Sequence, residues 1–167
     1  DAEDYGYLLE ADDGYDESWK FTTANYIPFL FKDDGNDEML SYATSFVRGV
    51  EDKLYAGNYS AAYEQLDLTS FADFWLIQEI MMNSEMKHPK SVYMYLNRGT
   101  IYAGPIWDFD WNTLPVSTSY AEEGYSYTKS MLEKAKPYHK RSGYPNEPIE
   151  DDDKNYVWYP MLVKDAT

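Results

Sequence analysis

An α+β domain is what the order of patterns along this chain predicts. Three observations carry it: short β-type runs before residue 33, helical periodicities between residues 37 and 82, and a tyrosine-rich hairpin at 91–104. At 167 residues the chain suits one domain or a large piece of one.

The β-type runs come first. Gly6-Tyr7-Leu8-Leu9-Glu10 is apolar enough for a half-buried strand, and Trp19-Lys20-Phe21-Thr22-Thr23 alternates. Ile27-Pro28-Phe29-Leu30-Phe31 is a third run, whose Pro28 belongs at an edge or at a strand start because it lacks an N–H. Asp12-Asp13-Gly14 and Asp33-Asp34-Gly35-Asn36 are turns. Their carboxylates are solvated turn residues or weak calcium ligands, and Asp33–Glu38 lacks the full spacing of a calcium loop.

A helix follows from about Asp37 to Ala56, with Leu40, Ala43, Val47, Val50 and Leu54 at helical spacing and Gly57 as a stop. Residues 58–66 hold a further short turn of helix. Asp67 or Thr69 caps the next helix, which runs to about Met82. Phe71, Phe74, Trp75, Leu76, Ile77, Ile80, Met81 and Met82 surround it on nearly all sides, the pattern of a helix in the centre of a domain. Ser91–Leu96 then reads as a strand, Asn97-Arg98-Gly99 as a turn and Thr100–Gly104 as the returning strand. From Val116 to Asp153 the chain is loop-rich, with one possible helix around 128–136.

Composition narrows the function. Aromatics are 18% of the chain, so its tyrosines either margin a core or face a flat polar partner such as sugar or peptide. A formal net charge of −16 argues against non-specific binding to nucleic acid and is compatible with cation binding. Lys129, Lys134, Lys136, Lys140 and Arg141 form a basic exception, either an exposed helix end or a patch for an acidic partner. With no cysteine, thiolate catalysis and cysteine zinc sites are excluded. No apolar run is long enough to span a membrane.

The chemistry gathers around the hairpin. Asp108 and Asp110 flank Phe109, and an extended segment points both carboxylates to one side. Two such carboxylates repel unless a cation lies between them, and oxygen ligands of this kind suit Mg²⁺. A hairpin joins its outer ends, which brings Asn83–Lys90 toward Pro105–Trp111. Glu85 is then a third candidate carboxylate, with Asn83 and Asn112 as amide donors. Turn-making and capping by the same acids is the plainer alternative. An acid near a helix end, then a hairpin, then an Asp-Phe pair is also the order found in protein kinases. His88 and His139 are too few for a histidine-rich hydrolase centre.

The stretch Phe71-Ala72-Asp73-Phe74-Trp75-Leu76-Ile77-Gln78-Glu79-Ile80, then Asn83-Ser84-Glu85, Ser91-Val92-Tyr93-Met94-Tyr95 and Gly104-Pro105-Ile106-Trp107-Asp108-Phe109-Asp110 resembles the core signature of the CotH kinase family, the spore-coat kinase-like proteins. Gly6–Glu10, Lys20–Thr23 and Trp158-Tyr159 are similar to that family as well. The resemblance implies the C-terminal lobe of an atypical protein kinase, with a buried central helix, a hairpin and a small N-terminal β region. It implies ATP and Mg²⁺ as cofactors and Ser or Thr of a coat or surface protein as acceptor. By the same resemblance Asp108 and Asp110 hold the metal, and Asn83 and Glu85 fall in the catalytic loop. The expected setting is the bacterial surface or exterior. The nucleotide-binding lobe is expected before Asp1, which leaves 1–167 as a single-domain fragment truncated at both ends and inactive alone.

This sequence departs from the family at two places. Glu85 stands where Asp is common, and Lys90 and Ser91 stand where an Asn ligand is usual. Lys90 cannot bind Mg²⁺ but can meet a phosphate, so Lys90 and Ser91 are read as cofactor-binding positions. The alternative to a kinase is a non-catalytic, kinase-like module of a secreted bacterial protein that binds sugar or protein.

Overall fold

The computed structural model describes residues 1–12, 14–81, 83, 90–107, 109 and 157–162. The expected α+β class holds. Five strands form one antiparallel sheet: β1 (Gly6–Ala11), β2 (Lys20–Thr22), β3 (Pro28–Phe31), β4 (Val92–Asn97) and β5 (Thr100–Ala103). Their order is β2-β3-β1-β4-β5. The N-terminal strands therefore do not make a small region of their own, because β1 pairs along its whole length with β4 of the hairpin, from Gly6 opposite Asn97 to Ala11 opposite Val92. Pro28 opens β3 rather than lying on an edge strand.

Alternation sorts the two faces. Tyr7, Leu9, Ala11, Phe21, Phe29, Phe31, Val92, Met94, Leu96 and Ile101 turn to one side and are buried there. Helix α1 (Asp37–Tyr55) contributes Ala43, Val47, Val50 and Leu54 to the same core. Asn36 caps it, its side chain accepting from the Met39 N–H at 2.9 Å. Gly57, at φ +74°, closes the helix in the left-handed conformation that glycine adopts without steric cost. The hairpin turn needs the same freedom at Gly99, at φ +75° beside Arg98 at φ +46°. Asn97 belongs to the strand, opposite Thr100, instead of to the turn.

Helix α2 (Tyr59–Tyr63) leads into α3 (Leu68–Met81) along the free side of β5. Leu66 bridges Ile101, the Asp67 N–H donates to Ile101 O at 2.9 Å, and the Ala103 N–H donates to Ser70 Oγ at 2.9 Å. These bonds cover an edge that would otherwise offer unpaired backbone groups. Asp67 is the cap, its Oδ1 accepting from the Ser70 N–H at 2.7 Å.

Helix α3 corrects the expectation of a buried central helix. Only the stripe Phe71, Phe74 and Gln78 is buried, while Leu76 is 57% exposed and Ile80 61%. A helix apolar on all sides carries no directional signal of its own, and here the sheet edge and Tyr159 take one face only. The short helix α4 (Tyr159–Leu162) follows Trp158, which is fully buried against Phe29 with ring centroids 6.1 Å apart. Tyr159 stacks on Phe74 at 5.9 Å. Burial pushes its phenol pKa well above the ordinary value.

Candidate functional site

The hairpin positions what is described of the site. Strand β5 leaves the sheet at Gly104, whose N–H donates to Tyr93 O at 2.9 Å. A cis Gly104–Pro105 bond follows, then Ile106 and Trp107. The Trp107 ring meets the Tyr93 ring edge-on, centroids 6.3 Å apart and planes at 64°. Trp107 is nonetheless 59% exposed. Lys90 and Ser91 enter β4 at this same end of the sheet, just before Val92. Both are half-buried, and Ser91 holds φ +51°. The start of β4 and the exit of β5 are thus neighbours, as the hairpin pattern predicts.

Asn83 lies at the C-terminal end of α3 and is buried. Its N–H donates to Gln78 O at 3.0 Å and its Nδ2 to Gln78 Oε1 at 2.8 Å. These bonds fix Asn83 to its own helix and give the buried Gln78 a partner. Glu85, Asp108 and Asp110, the three candidate carboxylates, lie outside the described residues, as do His88 and Asn112. Phe109 is described and half-buried. Among the described residues no group of three metal-ligating side chains occurs.

A charged cluster that the sequence pattern did not single out sits on the other face of the sheet, beside Tyr93. The register aligns Lys20, Leu30, Glu10 and Tyr93 in one row across β2, β3, β1 and β4. Glu10 is buried, with 6% of its side chain exposed. Lys32 Nζ reaches Glu10 Oε2 at 2.8 Å and Glu17 Oε1 at 2.9 Å. These two hydrogen bonds, Glu10 first, raise the Lys32 pKa above its ordinary value. Glu10 lies directly opposite Tyr93 in the β1–β4 register, and its charge acts on the phenol. A buried carboxylate paired with an ammonium is satisfied, and would be costly if left alone. The signal for this cluster was the pair of opposite charges ending two apolar runs, at Glu10 and Lys32. It becomes readable only when the strand register is known.

Tyr93 carries a pH signature. Burial, then the Glu10 charge, push its phenol up to about 12. The fold therefore favours the neutral phenol. That contribution is complete below the unfolded tyrosine pKa of about 10 and is lost as pH rises through the folded value. In urea unfolding between pH 9 and pH 12, wild type is expected to lose stability more steeply than Tyr93→Phe. Parallel curves for the two proteins would contradict the assignment. Comparing the variants cancels the other raised tyrosines, Tyr7, Tyr15, Tyr42 and Tyr159.

No described helix is long and apolar enough to cross a membrane. In comparison with known proteins, no family model, no curated protein and no solved structure matches this chain.

Proposed function

We propose that the chain is part of a CotH-like phosphotransferase that moves the terminal phosphate of ATP to Ser or Thr of a surface or coat protein, with Mg²⁺ held by Asp108 and Asp110. The observation that carries this reading is the meeting of the Trp107 exit with the Lys90–Ser91 entry at one end of the sheet. On this reading Asp108, next after Trp107 in sequence, works together with groups that precede β4. The donor chemistry fits the metal, since Asp108 and Asp110 offer hard oxygens on either side of a single residue. When bound, Mg²⁺ would neutralise charge on the phosphate oxygens.

On this reading Glu85 accepts the proton of the acceptor hydroxyl as its oxygen bonds to the terminal phosphorus. The bond from that phosphorus to the bridging oxygen breaks, and ADP leaves. Asn83 braces the segment before Glu85 through its bonds to Gln78. Lys90 supplies a positive charge for phosphate.

The test begins with Mg²⁺ titration of the chain and of Asp108→Ala. Wild type is expected to bind Mg²⁺ and Asp108→Ala to lose at least tenfold in affinity, roughly 1.4 kcal/mol. Equal affinity in the two proteins removes Asp108 from the site. Incubation of the full-length protein, with its upstream region, with labelled ATP then tests transfer. Mg²⁺-dependent label on protein is the expected result. No label, together with no nucleotide-induced thermal shift, favours a non-catalytic module that binds sugar or protein. The exposure of the Trp107 and Tyr95 rings is what favours that second reading.

A further inference from the structure

We propose that the outer face of the sheet at β1, β4 and β5 is a binding strip for an uncharged, extended glycan, with Tyr95 and Tyr102 as its floor and Trp107 at one end. The site rests on the second reading above, and it needs neither metal nor nucleotide.

Register places the rings. Val92, Met94 and Leu96 turn inward and are buried, so Tyr93 and Tyr95 turn outward from the same strand. Tyr102 of β5 lies directly opposite Tyr95, and Leu8 of β1 lies opposite it on the other side. Tyr93 precedes Tyr95 on this face by roughly 7 Å along the strand. Trp107 meets the Tyr93 ring edge-on and prolongs the row beyond the end of β5. Tyr95 is 39% exposed, and Tyr102 and Tyr93 are half-buried.

One of these rings is laid flat. Gly6 is exposed on β1, diagonal to Tyr95. A methyl group at Gly6 would sit 2.6 Å from Tyr95 Cζ and overlap the hydroxyl oxygen. The far end of the Tyr95 ring therefore rests on the Gly6 backbone, and a larger residue at position 6 would push it off. Glycine within a strand costs stability and marks a place where another group comes close. Here that group is a phenol ring, which covers part of β1 and β4 and turns an aromatic surface to solvent.

Chemistry selects the occupant. A pyranose carries C–H groups on its flat faces and hydroxyls around its rim. The C–H groups are slightly positive and settle on the negative face of an aromatic ring. Asn97 and Thr100, paired beside Tyr95 and Tyr102 on the same face, offer polar partners for rim hydroxyls. A polyproline-type peptide needs a groove between aromatic walls, and a ring lying on Gly6 makes no such wall. Charge decides the class of glycan. The rings are neutral, the nearby Glu10 carboxylate is paired with Lys32, and the net charge of −16 repels uronic and sulfated chains. Flat rings on an antiparallel sheet suit a ribbon-like, β-1,4-linked chain better than a coiled one.

The probe is cellohexaose, titrated calorimetrically into the full chain without Mg²⁺ or ATP. Maltohexaose, an oligogalacturonate and a proline-rich peptide are run beside it. Wild type is expected to bind cellohexaose, the two other glycans about tenfold more weakly or worse, and the peptide not at all. Tyr95→Ala is expected to weaken cellohexaose binding about tenfold, and Tyr95→Phe, which keeps the ring, by no more than about twofold. Gly6→Ala retains every ring and is expected to cost about fivefold, because it lifts Tyr95 off the strand. Tyr5→Ala is the control, an exposed tyrosine that precedes β1, and is expected to bind as wild type does. Thermal unfolding confirms that each variant is folded, and Tyr95→Phe decides the matter if an alanine variant is not. A wild type that does not bind cellohexaose overturns the strip, as does equal loss in Tyr5→Ala and Tyr95→Ala. Tighter binding of the oligogalacturonate or of the peptide overturns the assigned ligand, and equal binding of maltohexaose overturns the choice of an extended chain. ATP with Mg²⁺ is expected to leave bound cellohexaose in place. Displacement would put the strip inside a nucleotide site and overturn the proposal, whereas failure of the phosphotransferase reading alone changes none of the glycan titrations.

Discussion

Trp158→Ala is expected to lower the unfolding free energy by about 3–5 kcal/mol, read from urea denaturation. Trp158 is fully buried, packs on Phe29 across the inner face of the sheet and donates its Nε1–H to Glu51 Oε2 at 3.0 Å. Truncation thus opens a large cavity and also removes a hydrogen bond from a buried carboxylate. Trp158→Phe separates the two effects. The ring is largely restored, and the remaining loss is that of the hydrogen bond, about 1–3 kcal/mol. A Trp158→Ala protein within about 1 kcal/mol of wild type would mean that the 157–162 segment does not seal the core.

How much of this was legible in the sequence depends on the range of the interactions. Helix α1 was readable because its apolar residues repeat at helical spacing and Asn36 and Gly57 punctuate it. The hairpin was readable because Arg98-Gly99 can adopt the positive φ angles that a tight turn requires. Both are local properties. Helix α3 misled for a physical reason: Leu76 and Ile80 are as apolar as Phe71 and Phe74, so composition predicted burial where position left exposure. The merging of β1–β3 with the hairpin was not legible either. It rests on pairing between residues such as Leu9 and Met94, which no local pattern encodes. Of the candidate site, the neighbourhood of the β4 start and the β5 exit followed from the hairpin alone. Glu85, Asp108 and Asp110 lie outside the described residues. The cluster of Glu10, Lys32 and Tyr93 was hidden because Glu10 looked like one polar residue in an apolar strand. Register turned it into the partner of Tyr93.

Glu51 is the second position where a large effect is expected. Glu51→Leu should destabilise the fold by roughly 3–5 kcal/mol, since it deprives buried donors of their partner. Glu51 is fully buried on α1, its Oε1 accepting from Asn25 N at 3.2 Å and Asn25 Nδ2 at 2.9 Å. Its Oε2 takes the Trp158 indole. One carboxylate therefore ties together the turn before β3, the body of α1 and the segment before α4. Glu51→Gln should cost less than Glu51→Leu, because the amide oxygen still serves Asn25 while its NH₂ group faces the Trp158 donor and cannot accept from it. The decisive comparison is the double variant Glu51→Leu with Trp158→Phe. Removing the indole donor removes part of the penalty that the leucine side chain imposes, so the combined loss should fall short of the sum by about 1 kcal/mol or more. Strict additivity would show that the two side chains do not share a bond, and that Glu51 is held by Asn25 alone. A shortfall would establish that this buried charge is retained because each of its oxygens is needed by a different part of the chain. That is the same logic by which the Lys32 ammonium joins Glu10 to Glu17 on the opposite face of the sheet.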